Sequence, residues 1–565
     1  MFLPTTKEEM QNLRWDRCDV VLVSGDSYID SPYIGIAVIG RILEKAGFRV
    51  GIIAQPDINS KEDITRLGEP KLFWGVSAGS VDSMVANYTA TKKFRKNDDY
   101  TPGGINNKRP DMATIKYTNL IRRYYKNTTP IVLGGIEASL RRVTHYDFWS
   151  NKLRRPIIFD AKADFILYGM SERSVIELAK CLREKKDPLD VRGLCYISKN
   201  PKEDYLELPS FEECQKDKLK FIEMFDTFYK NNDPLSAKGL NQKIDARYLI
   251  QNPPAYYLNQ EELDSISELN YKRDLHPYYK KFGKVKALET IKFSVTTHQG
   301  CYGECNFCAI GVHQGRTIRS RSKDSILKEI KSFTTYKDFK GIIRDVGGAT
   351  ANMYGYECDK KLQSGTCENK RCMFPKLCKK MEVNHKTQIE LLREIRAIKG
   401  VKKAFVASGI RYDLINEDKK YGKSYLREIL EHHTSGQMKI APEHIDDEVL
   451  KLMGKPSKKS LMEFKRLFDE LNQKSSKKQF LTYYLIAAHP GCSESHMRNL
   501  KNFASNVLRI NPEQAQIFTP TPSTYSTLMY YTQMDPKTKK PLFVEKDTKA
   551  KERQKEIVQK NYRNR

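Results

Sequence analysis

Short β-rich runs that stop at glycine or another small residue, each followed by a segment of helical apolar spacing, recur in this chain in two blocks. Strands that alternate with helices pair in parallel, and parallel sheets host ligands in the loops at their strand C-termini. In the first block "DVVLVSG" (19–25) leads into the helical "YIGIAVIGRILEKAGF" (33–48). "RVGIIAQ" (49–55), "KLFWGVSAG" (71–79), "PIVLGGIEA" (130–138), "ADFILYGMSE" (163–172) and "GLCYISKN" (193–200) continue the series. The pattern predicts an α/β fold, with a Rossmann-like, doubly wound parallel sheet over residues 1–200. "ATKKFRKNDDYTPGGINNKRPDM" (90–112) is too long and polar for a tight turn and reads as an insertion or flap.

Residues 201–285 are rich in Lys, Tyr and Asn, show no clear period, and read as a connecting segment with short helices. The second block covers 286–535. Its strands are "IKFSVTTHQG" (291–300), "KGIIRDVGGAT" (340–350), "KAFVASGIR" (403–411), "GQMKIAPEH" (436–444), "FLTYYLIAAHPG" (480–491) and "QAQIFTPTPS" (514–523). Six βα repeats in one direction predict a partial (β/α)6 TIM-like barrel with its site at the strand C-termini. A cysteine-rich insertion occupies 356–380, and a basic tail, read as charged helix or disorder, runs over 536–565.

The first strand of that barrel runs into "CYGECNFC", where Cys301, Cys305 and Cys308 have the spacing C-x3-C-x2-C. On a loop this spacing brings three sulfurs to one point, as metal or iron–sulfur ligation requires. Structural zinc prefers four closed ligands and ferredoxin-type clusters use four thiolates, so three thiolates leave one position open for a substrate or cofactor. A second set, Cys358, Cys367, Cys372 and Cys378, lies in a polar, Lys-rich stretch that has no core to fill. A closed four-thiolate site satisfies it, either a second iron–sulfur cluster or zinc. Cys492 reads as a buried small residue.

The "CYGECNFC" loop resembles the cluster loop of the radical S-adenosylmethionine (SAM) enzymes. That resemblance implies a [4Fe-4S] cluster on Cys301, Cys305 and Cys308. It also implies SAM bound at the open iron and cleaved reductively to a 5′-deoxyadenosyl radical that acts on a substrate. It assigns Gly347 and Gly348 to the SAM amino group, Ser408 and Arg411 to the ribose and carboxylate, and Phe307 to the cofactor's surroundings. The family often carries Glu after the Gly pair; here Ala349 and Thr350 follow. Glu443 and His444 stand at a strand exit suited to acid–base work, or to capping. The opening 39 residues from Asp19, "GGIEASLRR" (134–142) and "APEHIDDEVLKLMGKP" (441–456) are similar to the YgiQ-type radical SAM proteins over nearly the whole chain. The resemblance names no substrate and no catalytic residue, and it implies an electron donor such as flavodoxin or ferredoxin.

The N-terminal sheet also resembles cobalamin-binding domains, but its first loop, "SGDSYIDSPYIG", lacks the histidine that ligates cobalt, so cobalamin is not expected. A cobalamin-dependent radical SAM methyltransferase and a non-catalytic iron–sulfur or zinc protein that binds RNA stand as alternatives. The RNA reading rests on charge: 98 Lys and Arg against 70 Asp and Glu give +28, which attracts polyanions, while no groove-reading motif supports it. No apolar run is long enough to span a membrane. The opening residues lack an export signal, which points to the cytoplasm and to reduced cysteines.

Overall fold

Val20–Ser24 (β1) and Val50–Ala54 (β2) are buried at every position, as strands covered on both faces must be. With Phe73–Ser77 (β3), Ile131–Gly134 (β4) and Phe165–Leu167 (β5) they form five parallel strands in the order β2-β1-β3-β4-β5. The order reverses between β1 and β3, which makes the crevice outside their C-termini the expected ligand position of such a sheet. The computed structural model describes residues 1–368, 370–513 and 515–559, in two compact units: 1–292 with 312–314, and 293–311 with 315 onward.

The first unit extends beyond the expected 200 residues. Leu194–Ser198 (β6) runs antiparallel to β5, and Leu206–Leu208 (β7), Leu240–Ile244 (β8) and Arg247–Gln251 (β9) complete a nine-stranded sheet in the order β7-β8-β9-β6-β5-β4-β3-β1-β2. The segment read as a connector therefore supplies three strands. Its strands hid because buried polar residues break their pattern. Gln242 is fully buried, its amide donating to the Pro209 carbonyl at 3.0 Å and its oxygen accepting from the Thr144 amide at 2.9 Å. The β8–β9 hairpin turns through Asp245, at φ 53°, and Ala246, without the Asn-Gly or Asp-Gly pair that advertises such turns.

In the second unit Val295–Thr296 (β10) pairs in parallel with Val346–Gly347 (β12), and Ile342–Ile343 (β11) with Lys403–Ala404 (β13). A parallel bridge joins Ile410 to Ile440. Gln437–Glu443 (β14), Phe480–Ala487 (β15) and Ala515–Ile517 (β16) pair in parallel as well. These are the six expected strand positions, with β11 and β12 sharing one; residue 514 of the last expected strand lies outside the described residues. Helices such as Lys323–Phe333 and Lys386–Ala397 bury Ile330, Phe333, Leu391 and Leu392 against the strands. The basic tail is helical over Thr548–Gln559, with Gln554 and Val558 fully buried. The Gln554 side chain accepts from the Ala488 amide at 3.0 Å and donates to the Cys492 carbonyl at 3.3 Å, tying that helix to the exit of β15. Residues 560–565 of the expected tail lie outside the described residues.

Candidate active site at the strand exits of the second unit

The loop after β10 makes its turn at Gly300, whose φ of +81° and close approach to the Thr317 carbonyl leave no room for a Cβ. Beyond it the Gly303 amide donates to Cys301 Sγ at 3.3 Å and the Cys308 amide to the Cys305 carbonyl at 3.0 Å. A Cβ built on Gly303 would stand 3.2 Å from Cys301 Sγ and 3.7 Å from Cys305 Sγ, so both thiols flank one backbone turn. All three cysteines are half-buried. Asn306 anchors the turn: its amide and side chain each donate at 2.8 Å, to the Met453 and Leu452 carbonyls. Burial raises the Cys301 thiol and pushes that of Cys308 up to about 12.

Gly347 and Gly348 leave β12 between two side chains. A Cβ at 347 would meet Ser408 at 3.2 Å, and one at 348 would meet the His298 ring at 2.7 Å. His298 is buried, with Nδ1 2.8 Å from Thr297 Oγ1, and burial lowers its pKa to about 4. The imidazole is therefore neutral at pH 7. Asp345 accepts from the Ala407 amide at 2.7 Å, the Ser408 amide at 3.1 Å and the Ser408 hydroxyl. Thr350 stands 3.2 Å from Cys301 Sγ, so where the family often carries Glu this chain brings a hydroxyl of the following residue to a cysteine.

Arg411 leans over the same turn. Its Nε and Nη2 make a bidentate pair with Asp413 at 2.8 and 2.6 Å, and Nη1 points to Cys305 Sγ at 3.6 Å. Burial works against the charge, but Asp413 and then the Cys305 and Cys301 thiols overcome it and hold the guanidinium above its usual range. Asn352 clamps the Arg411 backbone, accepting from its amide at 2.8 Å and donating to its carbonyl at 3.0 Å. The Asn352 amide nitrogen also lies 3.2 Å from His385 Nε2, and His385 Nδ1 lies 2.8 Å from Asp418.

A second buried ion pair closes the rim. Glu443 sits at φ 68° where the β14–β15 register shifts, a left-handed conformation that costs a non-glycine residue of order 1–3 kcal/mol. Its carboxylate lies 3.6 Å from Lys455 Nζ, and burial raises its pKa. Glu443 also feels the Arg411 charge, and Lys455 that of Asp413 and Cys308, so the two pairs share one electrostatic neighbourhood.

Two models of known families cover most of this chain: "Radical SAM N-terminal" over residues 2–294 and "Radical SAM superfamily" over 295–504. The UPF0313 protein FN0734 of Fusobacterium nucleatum is 60% identical over 565 residues, covering 100% of both chains. A UPF0313 protein of Thermotoga maritima is 48% identical over 561 residues, 99% of this chain and 98% of its own. This chain belongs to the UPF0313, YgiQ-type, family of radical SAM proteins. It is an enzyme, and its superfamily implies a [4Fe-4S] cluster and SAM. Among solved structures the radical SAM methyltransferase TsrM of Kitasatospora setae, with cobalamin and a [4Fe-4S] cluster bound, matches 90% of this chain and 76% of its own at TM-score 0.52 and 16% identity. That likeness shows a shared fold.

In this radical SAM chain the structure brings Cys301, Cys305, Gly347, Gly348, Ser408 and Arg411 to neighbouring strand exits. Phe307 packs against the core and stands edge-on to His489, beyond the exit of β15, with ring centroids 6.4 Å apart. His444 is a turn acceptor: its Nδ1 takes the Asp446 amide at 3.0 Å, and burial lowers its pKa to about 4. Cys492 is fully buried, with its thiol raised by burial to about 12. His298, Asp345, Thr350, Asn352 and Lys455 were not singled out from sequence. Asp345 and His298 could have been, because each lies two or three residues from a motif position. Lys455 could not. Among the described residues no three His, Cys, Asp or Glu side chains are gathered as ligands of a single metal ion, and no helix is long and apolar enough to cross a membrane.

Proposed function

We propose that Cys301, Cys305 and Cys308 hold the [4Fe-4S] cluster and that the enzyme cleaves SAM reductively to act on a substrate enclosed by the second unit. The observation that carries this reading is the pairing of a three-thiol turn with the Arg411 guanidinium 3.6 Å from Cys305 Sγ. The residues fit the group. Three thiols on one turn suit a cluster with one iron left open, and an arginine held by Asp413 is fixed in place for a carboxylate. Bound there, the cluster supplies the single electron that opens the sulfonium C–S bond of SAM. The chain's own part is positional. The Gly347–Gly348 backbone receives the amino group, Arg411 the carboxylate, and Ser408, oriented by Asp345, the ribose. Glu443 and Lys455 present a buried acid–base pair on the substrate side. The electron comes from a carrier of the flavodoxin or ferredoxin type, in the cytoplasm.

The reading includes no cobalamin in the first unit. Two observations support this: "SGDSYIDSPYIG" has no histidine, and side chains of the unit itself meet outside β1 and β3. Arg109, from the 90–112 insertion, is buried there between Asp26 at 2.8 Å and Asp98 at 3.0 Å and donates to the Ala78 carbonyl at 2.7 Å.

The test is anaerobic reconstitution with iron and sulfide, then SAM and dithionite, with 5′-deoxyadenosine as the readout. Product from the wild type and none from the Cys301/Cys305/Cys308→Ala triple variant is the expected result. A cluster-free wild type would move the chain to the metal-binding, RNA-associated alternative, and cobalamin retained through gel filtration would restore the methyltransferase reading.

A further inference from the structure

From 365 to 385 the described residues of the second unit form neither helix nor strand. A loop of this length inside a compact domain needs some other tie. Apolar packing supplies part of it, since Met373 is buried with Tyr302, Met353 and Tyr356, and Leu377, Met381 and Val383 pack against them; Lys360, Lys361, Lys370, Arg371, Lys376, Lys379 and Lys380 make the rest of the segment basic. What the segment has in excess is thiols. Cys358, Cys367, Cys372 and Cys378 are all half-buried and none forms a disulfide.

The four converge. Lys360 Nζ donates to Cys367 Sγ at 3.1 Å and lies within electrostatic reach of Cys358 and Cys378. The Cys378 amide donates to the Cys372 carbonyl at 2.8 Å, and Cys372 in turn neighbours Cys358. Cys358 and Cys372 pack against the apolar cluster of Tyr302, Met353, Tyr356 and Met373, beside Cys301. The spacing C-x8-C-x4-C-x5-C lacks the paired knuckles of structural zinc.

We infer that Cys358, Cys367, Cys372 and Cys378 ligate a second iron–sulfur cluster, of the [4Fe-4S] type, which ties the 358–378 loop to the Tyr302 face of the first cysteine loop. All four of its irons carry a protein thiolate, so it has no open position and does not bind SAM. This inference goes beyond the proposed function and stands or falls separately from it.

The test is iron, sulfide and zinc content of anaerobically reconstituted full-length protein, with EPR of the reduced state. About eight irons per chain are expected for the wild type and about four for the Cys301/Cys305/Cys308→Ala variant. The Cys358/Cys367/Cys372/Cys378→Ser variant should also hold about four. Should either variant fail to fold, the wild type alone decides: its reduced EPR should contain two signals, of which SAM shifts one. A wild type with about four irons, all SAM-responsive, overturns the second cluster while leaving the first intact. One zinc per chain that persists in the three-alanine variant assigns the loop to zinc and overturns it equally.

Discussion

Both units end their parallel strands in glycine-rich loops, yet they furnish those exits differently. Outside β1 and β3 the first unit folds its own insertion back so that Arg109 bridges Asp26 and Asp98. Outside β10 and β12 the second unit leaves thiols, a Gly-Gly backbone and an arginine with one nitrogen directed at Cys305. Both exits answer their charges from within, Arg109 with Asp26 and Asp98 in the first unit, Arg411 with Asp413 and Lys455 with Glu443 in the second; what differs is the cysteine turn, which only the second exit carries.

Four experiments break or sharpen this contrast. The largest effect is expected at the thiols. Cys305→Ala should abolish 5′-deoxyadenosine formation while changing unfolding free energy by less than about 1 kcal/mol, because the side chain is half-buried; urea titration alongside the activity assay checks both. Arg109→Met should do the reverse. It strands two buried carboxylates, a loss of about 3–5 kcal/mol, with SAM cleavage by the folded fraction unchanged. Activity lost without a stability change would make the first crevice a functional site and erase the contrast.

Next in size is Gly348→Ala, which drives a Cβ to 2.7 Å from the His298 ring. Overpacking of this kind costs about 1–3 kcal/mol, read here as SAM binding weakened roughly 10-fold or more in equilibrium dialysis. His298→Ala in the same chain should restore part of it. The smallest effect is a pH dependence behind the site. Burial opposes the Asp418 charge, but its contact with His385 and backbone amides outweighs this and brings the carboxyl to about 2 from an ordinary value of 3.8. The folded state thus favours the ionised form, and Asp418 contributes stability that is complete above about pH 4 and fades as pH falls toward 2. Asp418→Asn should flatten the acid limb of the stability profile between those values, measured by thermal unfolding.

Much of the fold was legible because β1 and β2 are short β-branched, apolar runs and β15 is an apolar and aromatic one, as parallel strands are. The β7–β9 strands were not, since Asn241, Gln242 and Gln251 are buried through hydrogen bonds that no hydropathy pattern records. Cys301, Cys305 and Cys308 stood out because three thiols on one short turn are a local pattern that spacing alone displays. Lys455 reaches the site only because the chain returns after β14, a long-range fold property. Asn352 works through the Arg411 backbone, whose partners a linear sequence does not announce.

Glu443 has a consequence for anyone who engineers this enzyme. A left-handed glutamate next to a register shift is the kind of position where glycine or asparagine raises melting temperature. Here Glu443→Gly would relieve that backbone strain but leave Lys455 buried without its carboxylate, a loss of about 3–5 kcal/mol that outweighs the gain. Glu443→Gln removes the charge facing Lys455 and keeps every cysteine, so iron analysis and spectroscopy would pass it as intact.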